Sequence, residues 1–144
     1  MSWALRRLDP LSLRGLKAWN ALLRADQAAF ARDGEALETL EDRLLDPARM
    51  VLVAEQDGQK RGLLDAVVDH PAPQVLTIAA IVVAASARRQ GMARALCAEA
   101  KRLQPGTRLA AGVHDDNWAA RAFFGGLGLI EEEEEDGVVW MIEP

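Results

Sequence analysis

Residues 75–103 constrain this chain more than any other stretch. "VLTIAAIVV" (75–83) is branched and apolar throughout, which reads as a buried strand. "MARALCAEAKRL" (92–103) sets Met92, Leu96, Ala100 and Leu103 at helical spacing. Only "AASARRQG" (84–91) lies between them, ending in Arg88, Arg89, Gln90 and Gly91. A strand that passes through a basic, glycine-bearing turn straight into a helix belongs to an α/β architecture. Such a turn also carries chemistry. The first N–H groups of a helix lack partners and hold a partial positive charge. Gly91 and Ala93 let a phosphate approach the backbone, and Arg88, Arg89 and Arg94 add full charges. Each anion–dipole contact contributes about 0.3–1 kcal/mol, so only a ligand making several of them, such as a pyrophosphate, gains useful affinity. The alternative is a solvated basic helix start.

The rest of the chain supplies compatible elements. "WALRRL" (3–8) reads as a short strand. Asp9 and Pro10 open a helix over 9–27 with Leu13, Leu16, Trp19, Leu22 and Leu23 on one face. A second amphipathic helix spans 34–47. Strands follow on either side of Asp57-Gly58, a hairpin signal. After the central strand and helix come a strand at 107–113, a short helix over 117–128 and a closing hairpin around Asp136-Gly137. The order β-α-α-β-β-β-α-β-α-β-β predicts one domain over 1–144, with a mixed sheet and helices on its faces.

Composition narrows the function. Half of the 144 residues are hydrophobic, so a packed core is expected. The net charge of −5 argues against a general nucleic-acid binder. Residues 88–108 nevertheless hold six Lys or Arg against the single Glu99. The lone cysteine, Cys97, has no disulfide partner, which makes the cytoplasm the default compartment. It falls in a helical pattern and reads as a small core residue. No apolar run approaches the roughly 20 residues of a membrane span. A P-loop pattern is absent, and "GGLG" (125–128) follows a helix rather than a strand. "HDD" (114–116) lacks a supporting ligand set, so no metal is expected.

Two stretches together resemble a known family. Arg88, Arg89, Gln90, Gly91, Met92 and Ala93 fit the [QR]-x-x-G-x-[GA] coenzyme A signature of the GNAT acyltransferase superfamily. About thirty residues on, "NWAARAFFGGLGL" is similar to the family's second signature, with Asn117, Ala120, Phe123, Phe124, Gly128 and Leu129 at its fixed positions. The resemblance covers residues 75–143, and the N-terminal half only by element order. It implies a GNAT-like, mostly antiparallel central sheet of about seven strands, with helices on both faces. It further implies transfer of an acyl group from acetyl-CoA, or another acyl-CoA, to a primary amine of a small molecule, peptide or protein. The acceptor would be a small-molecule or peptide amine, with no nucleic acid and no membrane involved, and a homodimer is compatible with it.

Carried onto this chain, the resemblance assigns Ile81, Val82 and Val83 to the pantetheine arm and the N–H groups of 89–94 to the pyrophosphate. Asn117, Ala120, Phe123 and Phe124 would flank the pantetheine and thiol end. Strands 75–83 and 107–113 would splay to admit the cofactor. Helix capping by Asn117 and core packing by the two phenylalanines, chiefly Phe123, are the plainer readings. The chain departs from the family in two respects. Phe124 stands where many members have a tyrosine that protonates the leaving thiolate, and this chain has no tyrosine at all. Strand 75–83 also lacks a carboxylate base. His114 is the candidate catalytic base, with Asp115, Asp65, Asp69 and His70 as the other choices. "EEEEED" (131–136) reads as a solvated face. Alternatively, one side of the strand meets a cationic acceptor, and strict alternation would separate Glu132 and Glu134 from Glu131, Glu133 and Glu135. A non-catalytic acyl-CoA-binding module and a pure interaction scaffold are the other readings the sequence leaves open.

Overall fold

A computed structural model of the protein describes residues 3–7 and 48–144. Both helices expected within 9–27 and 34–47 lie outside these residues. Seven strands form one sheet: β1 (Ala4–Arg7), β2 (Arg49–Gln56), β3 (Gln59–Val68), β4 (Val75–Val83), β5 (Arg108–His114), β6 (Ile130–Glu135) and β7 (Val138–Ile142). Their spatial order is β1-β2-β3-β4-β5-β7-β6. Every neighbouring pair is antiparallel except β4 and β5. This is the mixed, mostly antiparallel sheet that the sequence led us to expect. Helix α1 (Met92–Leu103) makes the crossover between the two parallel strands, and α2 (Trp118–Gly126) joins β5 to β6.

The hairpins form where the turn residues demand. Asp57 and Gly58 have φ of 53° and 73°, and Asp136 and Gly137 have 52° and 77°. Two consecutive left-handed residues suit a tight hairpin, and Asp-Gly tolerates them. The core lies between the sheet and α1–α2. Met50, Leu52 and Ala54 of β2 and Leu64 and Ala66 of β3 meet Met92, Leu96, Cys97 and Ala100 of α1 there. Val51, Val53 and Leu63 point to the other face and are equally buried, so β2 and β3 are covered on both sides. Leu96 has no exposed surface, and its burial contributes about 1.5–3 kcal/mol. Gly62 sits beneath the start of α1, where a Cβ would come within 2.9 Å of Met92 Sδ. Among the described residues, no helix is long and apolar enough to cross a membrane.

One irregularity shapes the middle of the sheet. The β3–β4 register jumps from Asp65↔Ala80 to Ala66↔Ile78, which leaves Ala79 as an extra residue in β4. A bulge bends its strand and inverts the alternation of faces. Leu76 and Ile78 before it, and Ile81 and Val83 after it, therefore all face the α1 side of the core. Ala79 is the one exposed residue of a strand that is otherwise buried or half-buried.

Candidate active site

The bulge coincides with a fork. β4 and β5 pair from Val75↔Arg108 to Ile78↔Ala111 and then separate, although β4 runs on to Val83 and β5 to His114. A cleft opens between them, walled by residues 78–81 and 111–114 and closed by Asn117, Ala120 and Phe124 of the α2 region. The expected splay of strands 75–83 and 107–113 is thus present. Ala84 donates its N–H to the Arg61 carbonyl at 2.7 Å, on the β3 side. By alternation, Val83 and Ile81 turn their backbone groups to the opposite side, into the fork. Val82 does not take part. Its backbone groups turn to β3, where it pairs with Leu63, and its side chain is buried.

A second cavity, a basin of about 380 Å³, lies at the 84–91 turn between α1 and α2. Arg89 at φ 64° and Gly91 at φ 79° are both left-handed. Gly91 caps α1, and a Cβ placed on it would meet nothing within 4 Å. Backbone bent this way directs N–H groups into a concavity suited to an anion. No acidic residue occupies the first turn of α1, and among the described residues no carboxylate lines the basin. Arg88 Nε donates to the Val83 carbonyl at 3.0 Å, and Arg94 Nη2 to the Gly126 carbonyl at 3.3 Å. Arg89 is exposed. Three guanidinium-bearing residues therefore line the basin, with open space at the Gly91 Cβ position.

The remaining candidates divide. Phe124 is 4% exposed and belongs to the core while closing the fork. Phe123, expected chiefly in the core, is only half-buried and lines the basin, its ring edge-on to Phe124 at 5.1 Å. The helix explains this difference: Ala120 and Phe124 are four residues apart and share the sheet-facing side, whereas Phe123 turns toward α1. Asn117 caps α2 through its Oδ1, which accepts the Ala120 N–H at 3.1 Å, and it also borders the fork. Such a cap stabilises a helix by about 1 kcal/mol. Met92 and Ala93 line the basin. Gln90 does not, because its Oε1 accepts from Gln56 Nε2 at 3.0 Å.

Among the described residues, His114 is the one ionisable side chain lining the fork. The other candidate bases lie elsewhere. Asp65 is fully buried and paired with Arg49 at 3.1 Å. Asp69 Oδ1 accepts the Gln74 N–H, and His70 is exposed. Cys97 is no nucleophile: burial, only partly countered by Arg94, pushes its thiol up to about 12.

The acidic run departs from simple alternation. β6 and β7 pair Glu131↔Met141 and then Glu133↔Trp140, so Glu132 is a bulge. Glu133 and Glu135 lie opposite Trp140 and Val138 and line a groove with Pro71. Glu131 and Glu134 lie opposite Met141 and Val139, on the α2 side. Arg121 engages Glu131 at 2.8 Å while its guanidinium stacks on Trp118. Neither this bulge nor that at Ala79 has a marker in the sequence.

The comparisons agree with this geometry. The chain resembles an acetyltransferase from Thermus thermophilus with a TM-score of 0.78 and 23% identity, over 100% of this chain and 97% of that one. A diaminobutyrate acetyltransferase from Paenibacillus lautus, solved with its substrate L-2,4-diaminobutyric acid and coenzyme A, gives a TM-score of 0.74 at 21% identity, over 99% and 95%. The PaiA N-acetyltransferase from Thermoplasma acidophilum, in complex with coenzyme A, gives 0.74 at 16%, over 99% of each chain. No curated protein sequence matches significantly. The model of the acetyltransferase (GNAT) family matches residues 16–129, which include the forked strands, the basic turn and all of the second signature. The chain belongs to the acetyltransferase (GNAT) family.

Proposed function

We propose that this acetyltransferase passes the acyl group of acetyl-CoA directly to a primary amine that approaches His114 from the sheet face opposite α2. The carrying observation is the fork of β4 and β5, which opens onto the basic turn on one side and exposes His114 on the other. The N–H groups of 89–94 and the three arginines would hold the pyrophosphate, with Phe123 and Ala93 along the arm. Bound there, acetyl-CoA supplies an activated thioester.

The chain's own groups do the rest. The N–H groups of Ile81 and Val83 face the fork, where they can polarise a carbonyl. His114 takes the proton that an amine must lose to attack. Among the described residues, none lining the fork carries a hydroxyl in place of the missing tyrosine. A thiol with a pKa of about 8.5 leaves as the thiolate without one. Accordingly, Phe124→Tyr is expected to preserve the fold and leave turnover undiminished, since it only adds a hydroxyl where a ring already closes the fork. A large fall in turnover would show that the wall must be apolar.

The groove of Glu133, Glu135, Trp140 and Pro71 supports a cationic acceptor. His114 pairs with Val138 across β5 and β7, so the groove and the base share one face. Carboxylates beside an aromatic ring suit an ammonium group. Replacing both Glu133 and Glu135 with Gln is expected to raise the acceptor KM by about 5–30-fold, from two partly screened charges at about 0.5–1 kcal/mol each. The same changes at Glu131 and Glu134 should leave KM unaltered. Equal effects from the two pairs would reduce the run to a solvated face. The activity itself is tested by following thiol release from acetyl-CoA over a panel of amines, short diamines included. Coenzyme A binding without amine-dependent release would leave only a binding module.

A further inference from the structure

The 84–91 turn is moored to the sheet at one point that the coenzyme A signature does not explain. Gln56 ends β2 and is only 7% exposed, yet its Nε2 reaches across to Gln90 Oε1 at 3.0 Å. Gln90 stands between the two left-handed residues, Arg89 and Gly91. A non-glycine residue in that conformation persists only where its surroundings hold it. Elsewhere the turn is held by the Ala84 N–H bond to Arg61, the fully buried Ala87, the Arg88 bond to Val83, and Met92 resting on Gly62. Where the N–H groups must converge, the Gln56–Gln90 bond ties a side chain of the turn to β2, a different strand from the one that leads into it.

We infer that Gln56 and Gln90 form a tether that positions the pyrophosphate-binding turn, and that Gln56, remote from the ligand, is a positioning residue for acyl-CoA recognition. This rests on the reading that the pyrophosphate occupies the turn. With the tether cut, the turn divides its time between the binding conformation and others. The apparent dissociation constant then rises by the inverse of the competent fraction. A fraction reduced to about 10–20% gives about a 5–10-fold loss of affinity. Once acetyl-CoA is bound, the turn is held by the ligand, so chemistry proceeds at its former rate.

The test is a double-mutant cycle on the full chain, with Gln56→Met, Gln90→Met and the double variant, using coenzyme A calorimetry and steady-state kinetics. Gln56→Met is expected to raise the coenzyme A Kd and the acetyl-CoA KM by about 5–10-fold at unchanged kcat, and Gln90→Met to raise the coenzyme A Kd by a similar factor. The double variant should be no worse than the weaker single one, because a tether breaks only once. A merely structural loss would lower kcat and thermal stability instead. Gln90 lies half-buried on a turn, so Gln90→Met decides the matter even if Gln56→Met does not fold. Unchanged affinity in Gln90→Met overturns the tether, as do additive single effects. If the unaltered chain binds no coenzyme A, the pyrophosphate reading fails and the inference falls with it.

Discussion

Replacing Gly91 with Glu is expected to weaken coenzyme A binding by about 100-fold or more while the domain stays folded. A factor of 100 corresponds to about 2.7 kcal/mol. Several lost anion–dipole contacts at about 0.3–1 kcal/mol each, together with like-charge repulsion, reach that figure. The added Cβ meets no protein atom within 4 Å. Its penalty for the free protein is backbone strain at φ 79°, of order 1–2 kcal/mol, partly offset by a carboxylate at a helix N-terminus. Most of the effect therefore falls on the ligand, whose phosphates need the space that the new carboxylate occupies. Gly91→Ala carries the strain without the charge and separates the two contributions. Calorimetry would detect the loss and circular dichroism would confirm the fold. Unchanged affinity in a folded Gly91→Glu protein would remove the pyrophosphate from this turn.

The second large effect is expected at His114. A positioned general base contributes about 10²–10⁴ to a rate, so His114→Ala should lower kcat by about 100-fold. Coenzyme A affinity should not change, because His114 does not line the basin and its side chain shares the Val138 face of the sheet. The pH profile should change shape as well. With an imidazole accepting the proton, the rate does not wait for the amine to lose its proton to water. Without it, the remaining rate climbs until the amine itself loses its proton, and Glu133 and Glu135 nearby delay that point by favouring the charged amine. The pH dependence of kcat in both proteins checks this. Identical profiles and an undiminished kcat would take His114 out of the proton path.

The sequence revealed the scaffold because the scaffold is made of local patterns. The apolar run of β4, the stripe Met92–Leu96–Ala100 and the two Asp-Gly turns each signal their element without help from the rest of the chain. The basic turn was legible for the same reason, since an arginine pair before Gly91 has meaning only at a helix start. What stayed hidden depends on pairing between distant strands. Nothing in "TIAAIVV" says that Ala79 has no partner in β3. Nothing in "EEEEE" says that Glu132 drops out of register and moves Glu133 and Glu135 onto Trp140's face. Gln56 reads as an ordinary polar strand end until the fold brings Gln90 to it. Phe123 is less buried than expected because neighbouring residues on a short helix differ by about a third of a turn, finer than an apolar pattern resolves.

The short parallel seam has a mechanical side. β1 to β4 form one sheet panel and β5 to β7 another, and their shared backbone ladder covers only Val75–Ile78 against Arg108–Ala111. Beyond that ladder the sheet carries a notch whose tip lies at Ile78 and Ala111. Flexing of the two panels concentrates at such a tip. Displacement is least at Ala79 and grows toward the rim, where Val83 and His114 stand. The panels can breathe by an amount that alters the gap between these two residues while each keeps its place on its own panel. The backbone groups of Ile81 and Val83 and the side chain proposed to receive the proton thus ride on opposite jaws of one hinge.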